Sequence, residues 1–336
     1  MSAPRAAVLG AGSWGTTFAA VLADAGCEVT LWGRDEAVVR QVATDRRNPR
    51  YLPDVELPPM GATTDAAAAL AGARLVVVAI PSQVARTTLE GLREHLEPDA
   101  VVVSLMKGVE LSTDKRMSQV VSEALDIDPG RVAVVSGPNL ALEIATRQPT
   151  ATVVACTDEA NARLVADACS NSYFRPYTNS DVVGVELCGA VKNVIALAIG
   201  MAQGRGFGWN TTATVITRGL VEITRLGRAL GAQSETFAGL AGMGDLVATC
   251  ASPLSRNHTL GKHIGQGMSL DDALVATGTT AEGVKSSRSV LELAQKHGVD
   301  MPITAGVVAV LHEGLSVDDM ARALLSRPQK AEDRTD

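Results

Sequence analysis

Three polar residue groups in the later half of this 336-residue chain stand where their type invites chemistry. Lys192, followed by Asn193, interrupts an apolar helical stretch whose neighbours Leu187, Ala190, Val191, Val194, Ile195, Leu197 and Ala198 leave little exposed face. An ammonium there is costly to bury unless it is paired or in use. Desolvation and nearby cations would pull it from about 10.4 toward neutrality and make it a usable general base. The plainer alternative is a lysine snorkelling at the rim of a helix pair. Asp245 follows the glycine-rich Gly239-Leu240-Ala241-Gly242-Met243-Gly244 and can fix a lysine by a charge-assisted bond. Arg256 presents a planar fork suited to a phosphate ester, with Ser255 and Asn257 as further donors.

At the other end of the chain, Gly10-Ala11-Gly12-Ser13-Trp14-Gly15 is a GxGxxG that directly follows a predicted strand and opens a predicted helix over 13–25. In that context Gly10 makes the tight turn, Gly12 lets the backbone approach a pyrophosphate, and Gly15 lets helix and strand pack closely. The helix start offers free N–H groups and partial positive charge to phosphates; the competing reading is a glycine-rich turn with no ligand. The next strand ends in Trp32-Gly33-Arg34, and the first acid, Asp35, comes after the arginine. An acid at the strand end would bond a ribose 2′-hydroxyl, whereas Arg34 can pair with a 2′-phosphate. The expectation is therefore NADP(H) and/or NAD(H), unless Arg34 is merely a solvated surface residue.

Ligands of open α/β sheets sit at the carboxyl ends of strands. Ile80-Pro81-Ser82, Lys107-Gly108 and Ser136-Gly137-Pro138-Asn139 all fall there, the last entering a short helix that ends near Ala145. Any one of them alone also fits an ordinary turn; their convergence favours a site. Thr280 and Glu282 open a further predicted helix and are placed to touch a ribose.

The elements that must position these groups divide in two. Nearly uninterrupted apolar runs at 6–9, 29–32, 75–79, 101–105 and 132–135 read as strands buried on both faces, and 151–155 and 174–177 extend the set. Helical stretches such as 84–95 and 114–125 alternate with them, so the fold class is α/β: an N-terminal Rossmann-type doubly wound sheet over residues 1–181. Beyond it the strand signal stops. Helical patterns at 183–201, 211–230, 280–297, 302–312 and 317–325 predict an all-helical domain over 182–328, then a polar tail over 329–336.

Composition narrows the function. The chain is 46% hydrophobic and 20% charged, with net charge −7 and only 3% aromatic residues. An acidic, aromatic-poor chain is ill suited to nucleic acid or an anionic membrane. Five cysteines at wide spacing with no CxxC argue against a zinc knuckle or a disulfide framework and for a reducing compartment. Gly10, Gly12, Ser13 and Gly15 break any signal-peptide core, and the apolar run at 301–311 is too short to span a bilayer. A cytoplasmic protein without membrane insertion is expected. The histidines form no ligand set (His258 and His263 are five apart), so no metal is expected. Cys250, near Asp245, reads as a small core residue, with thiol sensitivity as the alternative.

The motifs, taken in order, resemble those of bacterial NAD(P)-dependent sn-glycerol-3-phosphate dehydrogenases. The resemblance rests on the glycine loop, Leu31-Trp32-Gly33-Arg34, Lys107-Gly108-Val109-Glu110, Ser136-Gly137-Pro138-Asn139, Ala190-Val191-Lys192-Asn193, the stretch 239–250 and Ser255-Arg256-Asn257. It implies reversible reduction of dihydroxyacetone phosphate to sn-glycerol 3-phosphate, which supplies phospholipid synthesis, in a homodimer. By motif, Lys192 would exchange the proton at the C2 oxygen, with Lys107, Asp245, Asn193 and Thr249 as further catalytic candidates. Lys107, Gly137, Asn139, Lys192, Asp245, Ser255, Arg256 and Asn257 would line the substrate. Gly10, Gly12, Ser13, Trp14, Gly15, Arg34, Lys107, Ala141, Arg256, Thr280 and Glu282 would contact the dinucleotide. Met106 and Asn139 depart from the commoner Ser or Thr of that family. Two rivals remain at this point: a reductase of the same two-domain plan acting on a hydroxy acid or sugar derivative, and a non-catalytic dinucleotide sensor.

Overall fold

The computed structural model describes residues 4–111, 113–278 and 282–329, with the Glu282 side chain outside the description. The chain forms two compact units. One comprises the residues up to Met106 together with Arg116–Val182; the other comprises Lys107–Lys115 and everything from Val183 on. A simple cut near 181 therefore misses one segment. Lys107–Lys115 groups with the helical unit because Val109 is fully buried in that unit's core.

The first unit is built on eight strands: β1 (Arg5–Leu9), β2 (Glu28–Trp32), β3 (Gly61–Thr63), β4 (Leu75–Val78), β5 (Val101–Ser104), β6 (Val132–Ser136), β7 (Thr150–Ala155) and β8 (Phe174–Asn179). Their order is β3-β2-β1-β4-β5-β6-β7-β8. Strands β1 to β6 pair in parallel, β7 pairs antiparallel to β6, and β8 parallel to β7. Side chains alternate along a strand, and both faces here are apolar. Leu75 and Val77 enter one core while Val76 and Val78 enter another, and Ala6 and Val8 divide from Ala7 and Leu9 in the same way. That two-sided burial is why these strands read as unbroken apolar runs. The three-residue β3, Gly-Ala-Thr, is too short and too weakly apolar to announce itself.

Three helical expectations shift. The stretch at 84–95 is a 3-10 turn (Ser82–Val84), a short helix (Ala85–Glu90) and a second 3-10 turn (Arg93–His95), interrupted at Gly91. The helix expected from 114 begins instead at Met117, because Asp114 adopts a left-handed φ of 58° in the preceding loop. The short helix expected directly after Ser136-Gly137-Pro138-Asn139 begins only at Ala141, beyond the bend that holds Pro138.

The second unit is helical. Its longest apolar helix is Val182–Gly204, not the 301–311 run. By length and mean hydropathy (1.9) this helix could cross a membrane, yet 94% of its most apolar window is buried within the protein, as for a core helix. Helix Arg256–Gly265 packs on it backbone to backbone. A Cβ on Gly200 would stand 2.1 Å from the His258 carbonyl, one on Gly204 2.3 Å from that of Lys262, and ones on Gly261 and Gly265 2.2 Å from those of Leu197 and Met201. Four glycines thus fix the distance between the lysine-bearing helix and the arginine-bearing one.

Candidate active site

In the first unit, β1 and β4 are neighbours from which the strand order runs in opposite directions, so the crevice at their carboxyl ends is the topological switch point of the sheet. Gly10 leaves β1 there at φ 125°, and its amide donates to the Trp32 carbonyl. A Cβ on Gly10 would sit 2.4 Å from the Ala79 carbonyl oxygen, and one on Gly15 1.9 Å from that of Gly10, so loop, helix and strand close on one another only with glycine. Gly12 precedes helix Ser13–Asp24 without any side-chain cap, and a Cβ on it would meet nothing within 4 Å. Uncapped amides beside open space fit a dinucleotide pyrophosphate. The Ser13 hydroxyl is turned to the Tyr51 carbonyl at 3.2 Å, and the Trp14 ring packs edge-on against Phe18 with its Nε1 buried and unpartnered. Arg34 is exposed after β2.

Gly137 follows β6 at φ 156°, where an added Cβ would stand 3.2 Å from Thr152 Cα and Oγ1. Asn139 Nδ2 donates to Thr152 Oγ1 at 2.9 Å, leaving Oδ1 buried and unpartnered. The Ala141 carbonyl is taken by the Thr17 hydroxyl at 3.2 Å.

The second unit gathers the other candidates more tightly. Leu240–Gly244 forms a single π-helical turn, closed by the Gly244 amide on the Gly239 carbonyl, and runs straight into helix Asp245–Ala251. A Cβ on Gly242 would stand 2.1 Å from the Phe237 carbonyl, which is what the glycine-rich sequence provides for. This turn carries Asp245, 1% exposed, into contact with two lysines. Lys192 Nζ donates to Asp245 Oδ1 and to Thr249 Oγ1 (2.7 Å), while Lys107 Nζ donates to Asp245 Oδ2 at 2.8 Å. One carboxylate therefore holds two ammonium groups. Burial pushes Lys192 down, Asp245 pulls it back up and Lys107 pushes it down again, leaving it at about 7. The snorkelling alternative fails, because only 6% of Lys192 is exposed.

Asn193, next on the same helix, is buried and its side chain finds no partner among the described residues. Ser255 caps helix Arg256–Gly265 by accepting from the His258 amide, and Asn257 Oδ1 accepts from the Gly283 amide, so both oxygens are engaged as acceptors while the Ser255 O–H and Asn257 Nδ2 keep their donor capacity. Arg256 is exposed at the first position of that helix. Thr280 lies outside the described residues, and of Glu282 only its place at the start of helix Glu282–Lys296 is described. Cys250 is fully buried and burial pushes its thiol to about 12, so it is a core residue with a poor thiolate. None of the five cysteines is in a disulfide.

Glu222 is the most deeply buried of the acids that escaped the sequence reading. Glu222 accepts from the Ile303 and Thr304 amides (2.6 and 3.1 Å) and the Thr304 hydroxyl (3.0 Å), pinning the start of helix Pro302–His312. Its only signal was a carboxylate within the predicted 211–230 helix.

A dinucleotide-type glycine loop on a doubly wound sheet, joined in one chain to a helical unit with a buried lysine–aspartate centre, defines a two-domain nicotinamide-dependent dehydrogenase plan. Residues 5–162 match the family described as NAD-dependent glycerol-3-phosphate dehydrogenase N-terminus, and residues 181–322 its C-terminus. This chain belongs to that family. It is 59% identical over 331 residues to the glycerol-3-phosphate dehydrogenase [NAD(P)+] of Streptomyces griseus, covering 98% of both chains. It is 57% identical to that of Thermobifida fusca, again covering 98% of each. The crystal structure of the glycerol-3-phosphate dehydrogenase of Coxiella burnetii superimposes with a TM-score of 0.92 at 37% identity, over 97% of this chain and all of that one.

Proposed function

We propose that this protein catalyses the NAD(P)H-dependent interconversion of dihydroxyacetone phosphate and sn-glycerol 3-phosphate. The observation that carries the chemistry is Lys192: buried, held by Asp245 and Thr249, and poised near 7. Reduced nicotinamide, when bound, supplies the hydride for the ketone carbon. As that carbon is reduced, charge develops on its oxygen, and the Lys192 ammonium stabilises the charge and donates the proton. In the reverse direction neutral Lys192 accepts the hydroxyl proton. Asp245 fixes the orientation of Lys192 and Lys107, and Arg256 anchors the remote phosphate, whose binding energy holds the reacting end in place.

Gly137, Asn139, Asn193, Ser255 and Asn257 complete the substrate contacts in this reading. Ser13, Trp14, Arg34, Ala141, Thr280 and Glu282 serve the dinucleotide. Family membership over both halves of the chain supports that assignment, as does the fit of the uncapped helix at Gly12 to phosphate. The reading extends to a cytoplasmic homodimer that supplies glycerophosphate for phospholipid synthesis.

The test is Lys192→Ala. Turnover is expected to fall by roughly 10²–10⁴-fold, the usual weight of a positioned acid–base group, while dinucleotide binding by tryptophan quenching survives. A near-normal kcat would sink the assignment.

A further inference from the structure

We infer that Arg50 is a specificity-determining residue: it neutralises Asp35 and so opens the ribose site to a 2′-phosphate. In dinucleotide-binding folds the acid near the end of the second strand takes the ribose hydroxyls and repels a 2′-phosphate. Here the first acid after β2 is Asp35, and both its oxygens are committed elsewhere. Oδ1 accepts from the Ala37 and Val38 amides (3.0 and 3.3 Å) as the cap of helix Glu36–Asp45, and Oδ2 takes Arg50 Nη1 at 2.8 Å. The Val38 and Ala37 amides and the Arg50 guanidinium hold its carboxyl below the usual range, so the group is an anion that needs a counter-charge. Arg34, its neighbour in sequence, has no ion-pair partner among the described residues.

The segment that brings Arg50 to this place is tied to the phosphate loop itself. Asn48, fully buried, donates from Nδ2 to the Ala11 carbonyl (3.0 Å) and to Thr16 Oγ1 (2.8 Å). The Leu52 amide returns to the Asn48 carbonyl at 2.7 Å, and the Ser13 hydroxyl reaches the Tyr51 carbonyl. Arg50 therefore sits on a turn clamped to the glycine loop, beside the end of β2. The Arg50–Asp35 pair is itself largely exposed, at 61% and 44% of the side chains. Exposed pairs contribute little to stability, so a structural role does not account for so specific an anchorage.

The inference rests on reading the loop as a dinucleotide site, and the experiment separates the two. Dissociation constants for NADPH and NADH are measured by tryptophan quenching in the parent, Arg50→Ala, Asp35→Asn and the double variant, with thermal melts to verify folding. Asn retains the capping oxygen and loses the charge. Arg50→Ala uncovers the Asp35 anion and is expected to lower the NADPH-over-NADH preference by about fivefold at 0.1 M salt. In the Asp35→Asn background the same substitution should change the preference by less than about twofold, since no uncovered anion remains. Three outcomes overturn the proposal: an unchanged preference in Arg50→Ala, an equal weakening of both nucleotides, or a loss as large in the Asp35→Asn background, which would put Arg50 directly on the phosphate. Failure of the parent to bind either nucleotide overturns the dinucleotide reading with it.

Discussion

Replacing Asp245 by Asn isolates what the shared carboxylate does for Lys192. The substitution is isosteric and leaves an oxygen that can accept from Lys192 and lie near Thr249, so the shape of this buried centre is kept, although the amide Nδ2 no longer accepts from Lys107. What is lost is a full negative charge in contact with the ammonium. At an effective dielectric of about 20, such a contact is worth about 4 kcal/mol, or about 3 pKa units at 1.36 kcal/mol each. The retained hydrogen bond offsets part of this, so we take about 2 units as the expected fall. The direction is fixed, because burial and Lys107 both push Lys192 down and only Asp245 holds it at about 7. The assay is kcat/KM for ketone reduction against pH. In the parent, the proton-donating form is lost as pH rises through about 7, so the alkaline limb falls there. In Asp245→Asn the limb should move to about pH 5, leaving on the order of 1% of Lys192 protonated at pH 7 and a rate about 10²-fold lower, largely recovered by acidification. An alkaline limb that stays near 7, with the same rate loss at every pH, would refute the electrostatic account.

Two further predictions concern the scaffold. Gly200→Ala drives a methyl to 2.1 Å from the His258 carbonyl, and the two helices must part; we expect a loss of about 1–3 kcal/mol or more, read as a fall in Tm, and a rise in KM for the phosphorylated substrate if Arg256 moves with its helix. Glu222 is pushed up by burial to about 7. A raised acid contributes stability that is complete below its unfolded value near 4.5 and is lost as pH rises through 7, so Tm should decline across that window in the parent and less in Glu222→Gln; parallel Tm profiles would remove Glu222 as the cause.

The parallel strands were legible because, Arg5 and Ser104 at their ends aside, the residues of β1, β4 and β5 are buried on one face or the other and so had to be apolar. β3 was not, since three small residues at the sheet edge carry no comparable constraint. Lys192 could be singled out because a charge among apolar neighbours breaks a pattern. Glu222 sits in a helix that already alternates polar and apolar residues, and only the third dimension reveals its partners at Ile303 and Thr304. The same holds for Arg50. One arginine among several in Arg46-Arg47-Asn48-Pro49-Arg50 has no distinguishing spacing, and its significance comes from a turn tied across 37 residues to Ala11.

The charge count of the buried centre explains why it is built this way. Two lysines share one carboxylate, so with both protonated the site carries an unmatched positive charge out of water, and an unmatched buried charge is strongly disfavoured. Protein stability alone would favour one lysine or two carboxylates. The imbalance can be relieved in two ways, by loss of a proton from Lys192 or by arrival of negative charge nearby. The first is the depressed lysine; the second, in the function proposed above, would be an oxygen acquiring charge as a carbonyl is reduced. A centre short of one negative charge before reaction, and satisfied as the alkoxide develops, stabilises the transition state more than the ground state, and that difference is what accelerates a reaction. Thr249, neutral and 2.7 Å from Lys192 Nζ, orients the ammonium without cancelling that deficit; a second acid in its place would match the charge and remove the drive.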